Sequence, residues 1–335
     1  MLKNNKRNFI IVLIIAFIVM FFSFKNDYEN IIEVFRNINY GWLFVAVMAV
    51  FFNQLIDTWF IYYYCKRHKK EYKFFKAYQV QQSGVFFSAI TPSNSGGQFA
   101  QVLVLSKQGI NTKLSASMLM LSFISWQTIL VVFSFFVLIF NYSHMITLYS
   151  GFISVVFITF IIDTCVICGL FLLAFSKKFH HFIFSKIIPF LGKIRIIKDV
   201  EGKKQSTEDW LKLFRMEFNN ILLHKEIMLR RVLTDFAKLL TIYTVPFLSA
   251  KALNVDIGFE ALTFTIVLAS FVYMMSAFVP LPGASGGAEG AFVILFGVIF
   301  GASTTAVMLL WRFLTYYLPM FVSFGFFATI KELKE

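Results

Sequence analysis

Apolar positions in this chain neither alternate nor keep to one helical face. They run in long unbroken stretches. Segments 9–24, 41–64, 114–140, 151–175, 232–253 and 303–330 are apolar over lengths that suit helices crossing ~30 Å of hydrocarbon. Lys3, Lys6 and Arg7 precede the first run, and Ser23-Phe24-Lys25-Asn26 is a poor cleavage site, so that run reads as an uncleaved span. Two stretches break the pattern. Segment 77–109 is interrupted by Thr91-Pro92-Ser93-Asn94-Ser95-Gly96-Gly97-Gln98, and segment 258–301 by Pro280-Leu281-Pro282-Gly283-Ala284-Ser285-Gly286-Gly287-Ala288-Glu289. The pattern predicts an all-α polytopic fold forming one integral membrane domain over 1–335. It has six full spans and two re-entrant half-helix hairpins, 77–109 and 258–301, in inverted-repeat relation. The alternative makes 258–279 or 287–301 a full crossing.

Composition removes the soluble alternative. A chain of 335 residues would otherwise suggest two globular domains, but 58% hydrophobic residues, 15% charged residues and a mean hydropathy of +0.73 exceed what such interiors hide. The net charge of +13 would point to nucleic acid in a soluble protein. Here the basic residues fall between apolar runs. Three precede the first run, six lie in 66–76 and thirteen in 176–231, whereas 25–40, 141–150 and 254–260 together hold only Lys25 and Arg36. That asymmetry places the first set of loops, and both termini, on the cytoplasmic side of a cell membrane. No nucleic acid is expected to bind directly.

Within the basic loop 176–231, Ser206-Thr207-Glu208-Asp209 reads as a helix start. Trp210, Phe214, Phe218, Ile221 and Leu222 then recur at helical spacing. Such a helix lies on the anionic inner leaflet or packs on the underside of the protein. His180 and His181 in this loop read as solvated surface. Cys165 and Cys168 form a CxxC inside an apolar run and read as buried small side chains rather than a redox or metal pair.

The two breaks align in one register. Pro92, Ser95, Gly96 and Gly97 match Pro282, Ser285, Gly286 and Gly287 as P-x-x-S-G-G, with Gln98 or Glu289 close behind. Paired Gly/Pro interruptions in opposite halves of a chain point to a transporter's binding site. Irregular backbone at membrane depth leaves amides and carbonyls unpaired unless it is buried in protein or lines a wet cavity. Each Gly-Gly is expected to start a half-helix capped by Ser95 or Ser285, whose positive end offers N–H groups to a lipid phosphate. Kinked helices with glycines for close packing are the alternative.

Charges inside apolar runs narrow the site further. They are Asp57, Asp163, Asp235, Lys238, Glu289 and Arg312. Asp235 and Lys238 are spaced to pair on one helix. Asn53 and Gln54 lie one turn before Asp57, on its side. Asp163 has no local partner and is expected to face the protein interior. Glu289 serves either as counter-charge to a cationic headgroup or as partner of Arg312, and Arg312 suits phosphate oxygens. Nucleotide-loop, zincin and nucleophile-elbow signatures are missing.

The segments 90–101 (ITPSNSGGQFAQ), followed by KQGI, and 280–290 (PLPGASGGAEG), with Arg312 and Pro319 in the last span, resemble the lysylphosphatidylglycerol synthase transmembrane region. This is the flippase-like family that includes the membrane half of multiple peptide resistance factors. The resemblance covers nearly the whole chain. Many members carry G-E-x-x-R after the first glycine and a charged pair at the head of the next span. Here Gln98 and Gln101 stand at those positions, and only Lys113 edges 114–130. Full-length synthases in the family add a soluble aminoacyl-transferring domain, whereas this sequence ends at Glu335.

The resemblance therefore implies a lipid translocase acting on an anionic or aminoacylated phospholipid or lipid-linked headgroup. The alternatives are a membrane component of phosphatidylglycerol lysyltransferase without its catalytic domain, tied to cationic peptide resistance, and a non-transporting scaffold. The expected substrate-binding residues are Pro92, Ser95, Gly96, Gly97, Gln98, Gln101, Asp163, Pro282, Gly283, Ser285, Gly286, Gly287, Glu289 and Arg312. No catalytic residue, metal or cofactor is expected. Expected partners are membrane phospholipid and, for loop 176–231, the anionic inner leaflet. A separate aminoacyl-lipid synthase chain and a second copy of this chain are further candidates.

Overall fold

The computed structural model describes residues 36–92, 94–149, 153–182, 224–276 and 281–327, with Val279 and isolated positions between 185 and 216. The apolar run 9–24, the stretch from Ser206 to Leu222 apart from Glu208 and Met216, and the C-terminal tail lie outside the described residues, as do the side chains of His180 and His181. Among the described residues every named element is helical: α1 (Tyr40–His68), α2 (Phe74–Ala89), α3 (Gly96–Lys107), α4 (Thr112–Tyr149), α5 (Ile153–Phe175), α6 (Lys177–Phe182), α7 (Lys225–Tyr243), α8 (Val245–Ala252), α9 (Ala261–Ser276), α10 (Gly287–Phe300), α11 (Thr304–Arg312) and α12 (Leu318–Phe327). A 3₁₀ turn, Gly301–Ser303, joins α10 to α11, and a π-helical turn, Phe313–Tyr317, joins α11 to α12.

Local chemistry sets the ends. Asn39 accepts the Gly41 and Trp42 N–H groups at 3.1 and 3.2 Å and so caps α1. Lys66, Arg67 and His68 close α1 where its dipole favours cations. Pro246 sits in the first turn of α8, where its missing N–H does no harm.

Four helical stretches are long and apolar enough to cross a membrane: Tyr40–His68, Thr112–Asn141, Lys225–Ala252 and Gly287–Phe326; Ser154–Gly169 and Ala261–Ser276 are shorter apolar helices. The protein is a multi-pass helical membrane protein. Its outer faces fit lipid: α4 and α5 leave Phe136, Phe140, Ile158 and Ile161 exposed. The stretch Gly287–Phe326 is not one rod. A straight helix would hold Glu289 and Arg312 ~34 Å apart. Instead they form an ion pair at 2.7 Å, and the rings of Phe292 and Trp311 stack at 4.8 Å. The chain reverses at Gly301, whose φ is 51°.

Both broken segments fold as helical hairpins. The arms of the first, α2 and α3, have 16 and 12 residues, and those of the second, α9 and α10, have 16 and 14. At ~1.5 Å per residue each arm reaches at most ~24 Å, short of a bilayer's hydrocarbon thickness. In the first hairpin the arms touch along their length. Gln101 donates to Gln81 Oε1 at 3.3 Å, and Gln108 donates to the Lys76 carbonyl at 3.2 Å. A methyl group at Gly97 would lie 2.0 Å from Ser88 Oγ and 2.7 Å from the Gly84 carbonyl. Glycine is needed there for close approach. The tip of this hairpin packs on the last helix, with Phe86, Ala89 and Ile90 against Tyr316, Tyr317 and Met320.

Two expectations are corrected by packing. Cys165 and Cys168 are exposed on α5 rather than buried. Arg231, counted above with the cytoplasmic loop, lies one turn and a half inside α7 and is 3% exposed.

Candidate functional site

The two P-x-x-S-G-G motifs fold into the same turn. Ser95 Oγ donates to the Pro92 carbonyl at 2.9 Å, and Ser285 Oγ donates to the Pro282 carbonyl at 2.9 Å. The backbone N–H groups of the same serines reach the same carbonyls at 3.1 and 3.3 Å. Asn94 and Ala284 take positive φ at 54° and 55°. For Ala284 that conformation costs about 1–2 kcal/mol, and two hydrogen bonds to Pro282 hold the turn around it. Pro92 and Pro282 also pair directly, in an antiparallel bridge. The two breaks therefore meet.

These bonds correct the expected capping. Ser95 and Ser285 turn back to the proline carbonyls and cap nothing. The Gly96 N–H donates to Thr91 Oγ1 at 2.8 Å, and the Gly286 N–H donates to Glu289 Oε2 at 2.8 Å. The first amide of each half-helix is thus satisfied inside its own motif. Leu281 stands where the first copy has Thr91, so Glu289 takes over the cap in the second.

Glu289 does a second job with its other oxygen. Its Oε1 faces Arg312 Nε at 2.7 Å, and the two side chains are 6% and 8% exposed. Arg312 also donates to the Gly283 carbonyl and lies 4.3 Å from the centre of the Tyr316 ring. Tyr316 in turn donates to the Ala89 carbonyl at 2.8 Å. Gly283, with φ 60°, presses against the Tyr316 ring where any Cβ would collide. One chain of contacts thus runs from the second motif through Arg312 and Tyr316 to the tip of the first hairpin.

A second charged group assembles from helices far apart in sequence. Arg231 on α7 donates to Asp235 one turn on, at 2.9 Å from Nε, and to Asp57 Oδ1 on α1 at 3.1 Å. Lys238 Nζ lies 2.5 Å from Asp57 Oδ2. The predicted Asp235–Lys238 pair does not form; Asp235 takes Arg231 and Lys238 takes Asp57. Amides join this group to the first hairpin, because Gln81 Nε2 donates to Asp57 Oδ2 at 3.5 Å while Gln81 Oε1 accepts from Gln101. Asn53 donates to the Lys238 carbonyl at 2.7 Å, and Gln82 donates to Gln54 at 2.7 Å.

Both groups border one cavity of about 580 Å³, within the range of small-molecule sites. Its wall carries three cationic side chains, Arg231, Lys238 and Arg312, and one carboxylate, Asp57. Asp235 and Glu289 stand behind that wall. Of the residues expected at the site, Gly97, Gln98, Gln101, Gly283 and Arg312 line the cavity. Pro92, Ser95, Gly96, Pro282, Ser285, Gly286 and Gly287 build the turns that shape it. Asp163 is elsewhere: it is 2% exposed on α5, and its Oδ2 has no hydrogen-bond partner. Sequence reasoning did not assign Asp57, Arg231 and Lys238 to the site. Their buried-charge signal was visible for Asp57 and Lys238, but α1–α7 pairing was not. Among the described residues no cluster of three metal-ligating side chains occurs.

Comparison with known proteins places the chain among membrane proteins. Residues 9–323 match the family described as the lysylphosphatidylglycerol synthase TM region. A curated relative, a UPF0104 membrane protein of Archaeoglobus fulgidus, is 24% identical over 256 residues, covering 74% of this chain and 74% of that protein.

Proposed function

The chain belongs to the lysylphosphatidylglycerol synthase transmembrane-region family, and from that premise we propose that it translocates an anionic or aminoacylated phospholipid between leaflets of the cell membrane. The observation that carries this reading is the cavity itself. A charged, amide-lined space lies inside an apolar helical bundle, where two half-helix hairpins meet at Pro92 and Pro282. Irregular backbone persists at membrane depth where it is buried in protein or lines a wet cavity, and ionised side chains around such a cavity favour a polar guest. The headgroup occupies the cavity and the acyl chains stay in lipid. Arg312 holds phosphate oxygens, and Gln98 and Gln101 supply hydrogen bonds.

In this reading the hairpins enter from opposite faces and form an inverted pair, and both termini are cytoplasmic. The basic loops favour that orientation. α2 and α3 then descend from the cytoplasmic side, and α9 and α10 from the outer side. The Asp57–Lys238 end of the cavity faces the inner leaflet.

The test is reconstitution into vesicles containing phosphatidylglycerol with a fluorescent headgroup, followed by quenching of the outer leaflet. Wild-type protein is expected to expose the inner pool, and a folded Arg312→Gln variant to slow this severely. Vesicles in which wild-type protein exchanges no lipid, together with unchanged leaflet distributions in a deletion strain, would overturn the proposal. The family description alone favours a membrane component for aminoacyl-lipid synthesis. Aminoacylated lipid made in the deletion strain at normal total amount, but held in the wrong leaflet, separates translocation from synthesis.

A further inference from the structure

We infer that Lys238 is a second phosphate-anion receptor at the α1–α7 end of the cavity, released from Asp57 when the anion binds. The inference rests on the translocase reading for its physiological ligand, but its chemistry stands on local geometry.

Asp57 divides its two oxygens between different partners. Oδ1 is held by Arg231 at 3.1 Å, and Oδ2 takes Lys238 at 2.5 Å with the Gln81 amide at 3.5 Å. If Lys238 leaves, Asp57 keeps one cation and one amide. Asp57 is not left without a cation, although Arg231 then faces both Asp57 and Asp235, so losing Lys238 costs less than stranding a carboxylate outright. Arg231 has no such freedom. It serves both Asp57 and the fully buried Asp235, and its departure would leave Asp235 without a cation. Arg312 is equally fixed, by Glu289, the Gly283 carbonyl and the Tyr316 ring.

Lys238 is also placed to move. Its side chain is 14% exposed and lines the cavity. Asn53 anchors its backbone carbonyl, so a swing of the flexible stem leaves the helix in place. The Trp126 ring lies 4.7 Å from Nζ and gives the ammonium an aromatic face beside the cavity. Among the described cations on the cavity wall, Lys238 is the one whose removal leaves no carboxylate without a cation in contact.

Binding of short-chain phosphatidylglycerol to the full-length protein in nanodiscs tests this, with competition by glycerol 1-phosphate and inorganic phosphate as separate arms. Lys238→Gln is expected to weaken lipid binding about 10-fold, the size of one charge-assisted hydrogen bond, and Lys238→Arg to retain it. Asp57→Asn frees Lys238 while Arg231 keeps Asp235, so it is expected to tighten binding several-fold. A merely structural role for Asp57 would not give that gain. Competition by the soluble phosphates assigns the site to free phosphate esters, and competition by the lipid alone assigns it to a headgroup. Unchanged binding in Lys238→Gln, or weaker binding in Asp57→Asn, would overturn the inference. Wild-type protein that binds anion yet moves no lipid would overturn the translocase reading and leave this one standing.

Discussion

The ion pair between Glu289 and Arg312 makes a quantitative prediction. The two charges sit 2.7 Å apart, 6% and 8% exposed, so neither is well solvated. Removing one charge leaves the other buried, at about 3–5 kcal/mol. Glu289→Gln is the cleaner perturbation, because its amide oxygen still accepts the Gly286 N–H and the cap of α10 survives. A variant without that oxygen would lose about 1 kcal/mol more. Arg312→Met should be milder. The stranded carboxylate still lies in the first turn of α10, where the helix dipole favours it by about 0.3–2 kcal/mol. The double variant removes both charges and should recover about 1–3 kcal/mol relative to the sum of the singles. Unfolding by denaturing detergent, followed by tryptophan fluorescence, gives all four stabilities. If the two losses add to within ~0.5 kcal/mol, the pair is energetically inert and the argument for a fixed Arg312 fails.

Two further outcomes follow from the hairpins. Gly97→Ala must push the arms of the first hairpin apart at Ser88 and the Gly84 carbonyl, with an expected loss of about 1–3 kcal/mol in the same titration; an unchanged midpoint would show that the arms do not pack this closely. Cysteines at 92 and 282, with Cys65, Cys165 and Cys168 replaced, should form a disulfide under mild oxidation, because bridge partners lie about 4.5–5.5 Å apart at Cα. Failure to crosslink in a folded protein, read by mass spectrometry, would separate the two motifs.

Features carried by local text were legible in the sequence. The shared P-x-x-S-G-G register foretold two equivalent turns, and these proved equivalent down to the serine–proline hydrogen bonds. Apolar run length placed α1 and α5 to within a few residues, but α4 ends nine residues beyond the run 114–140 and α7 starts seven before the run 232–253; of the two readings of Glu289, the pair with Arg312 is the one that forms. Spatial competition was not legible. Asp235 and Lys238 have a spacing that permits pairing, but Arg231 offers Asp235 two nitrogens, and Asp57 arrives from another helix to claim Lys238. Likewise Ser95 looked like a helix cap, because a one-dimensional reading cannot see that a proline carbonyl lies closer than the next turn's amides. Cys165 and Cys168 were read as buried because apolar neighbours signal burial in water-soluble proteins. On a helix bathed in lipid they signal only depth.

The contact of Pro92 with Pro282 has a mechanical meaning. Each hairpin is a stiff lever, and the two share one fulcrum at their tips. Tyr316 fastens the same spot to the last helix through Ala89. A displacement of either tip is therefore passed to the other hairpin and to the last helix. On the proposed translocase reading, that shared joint would link two openings without a separate gatekeeper.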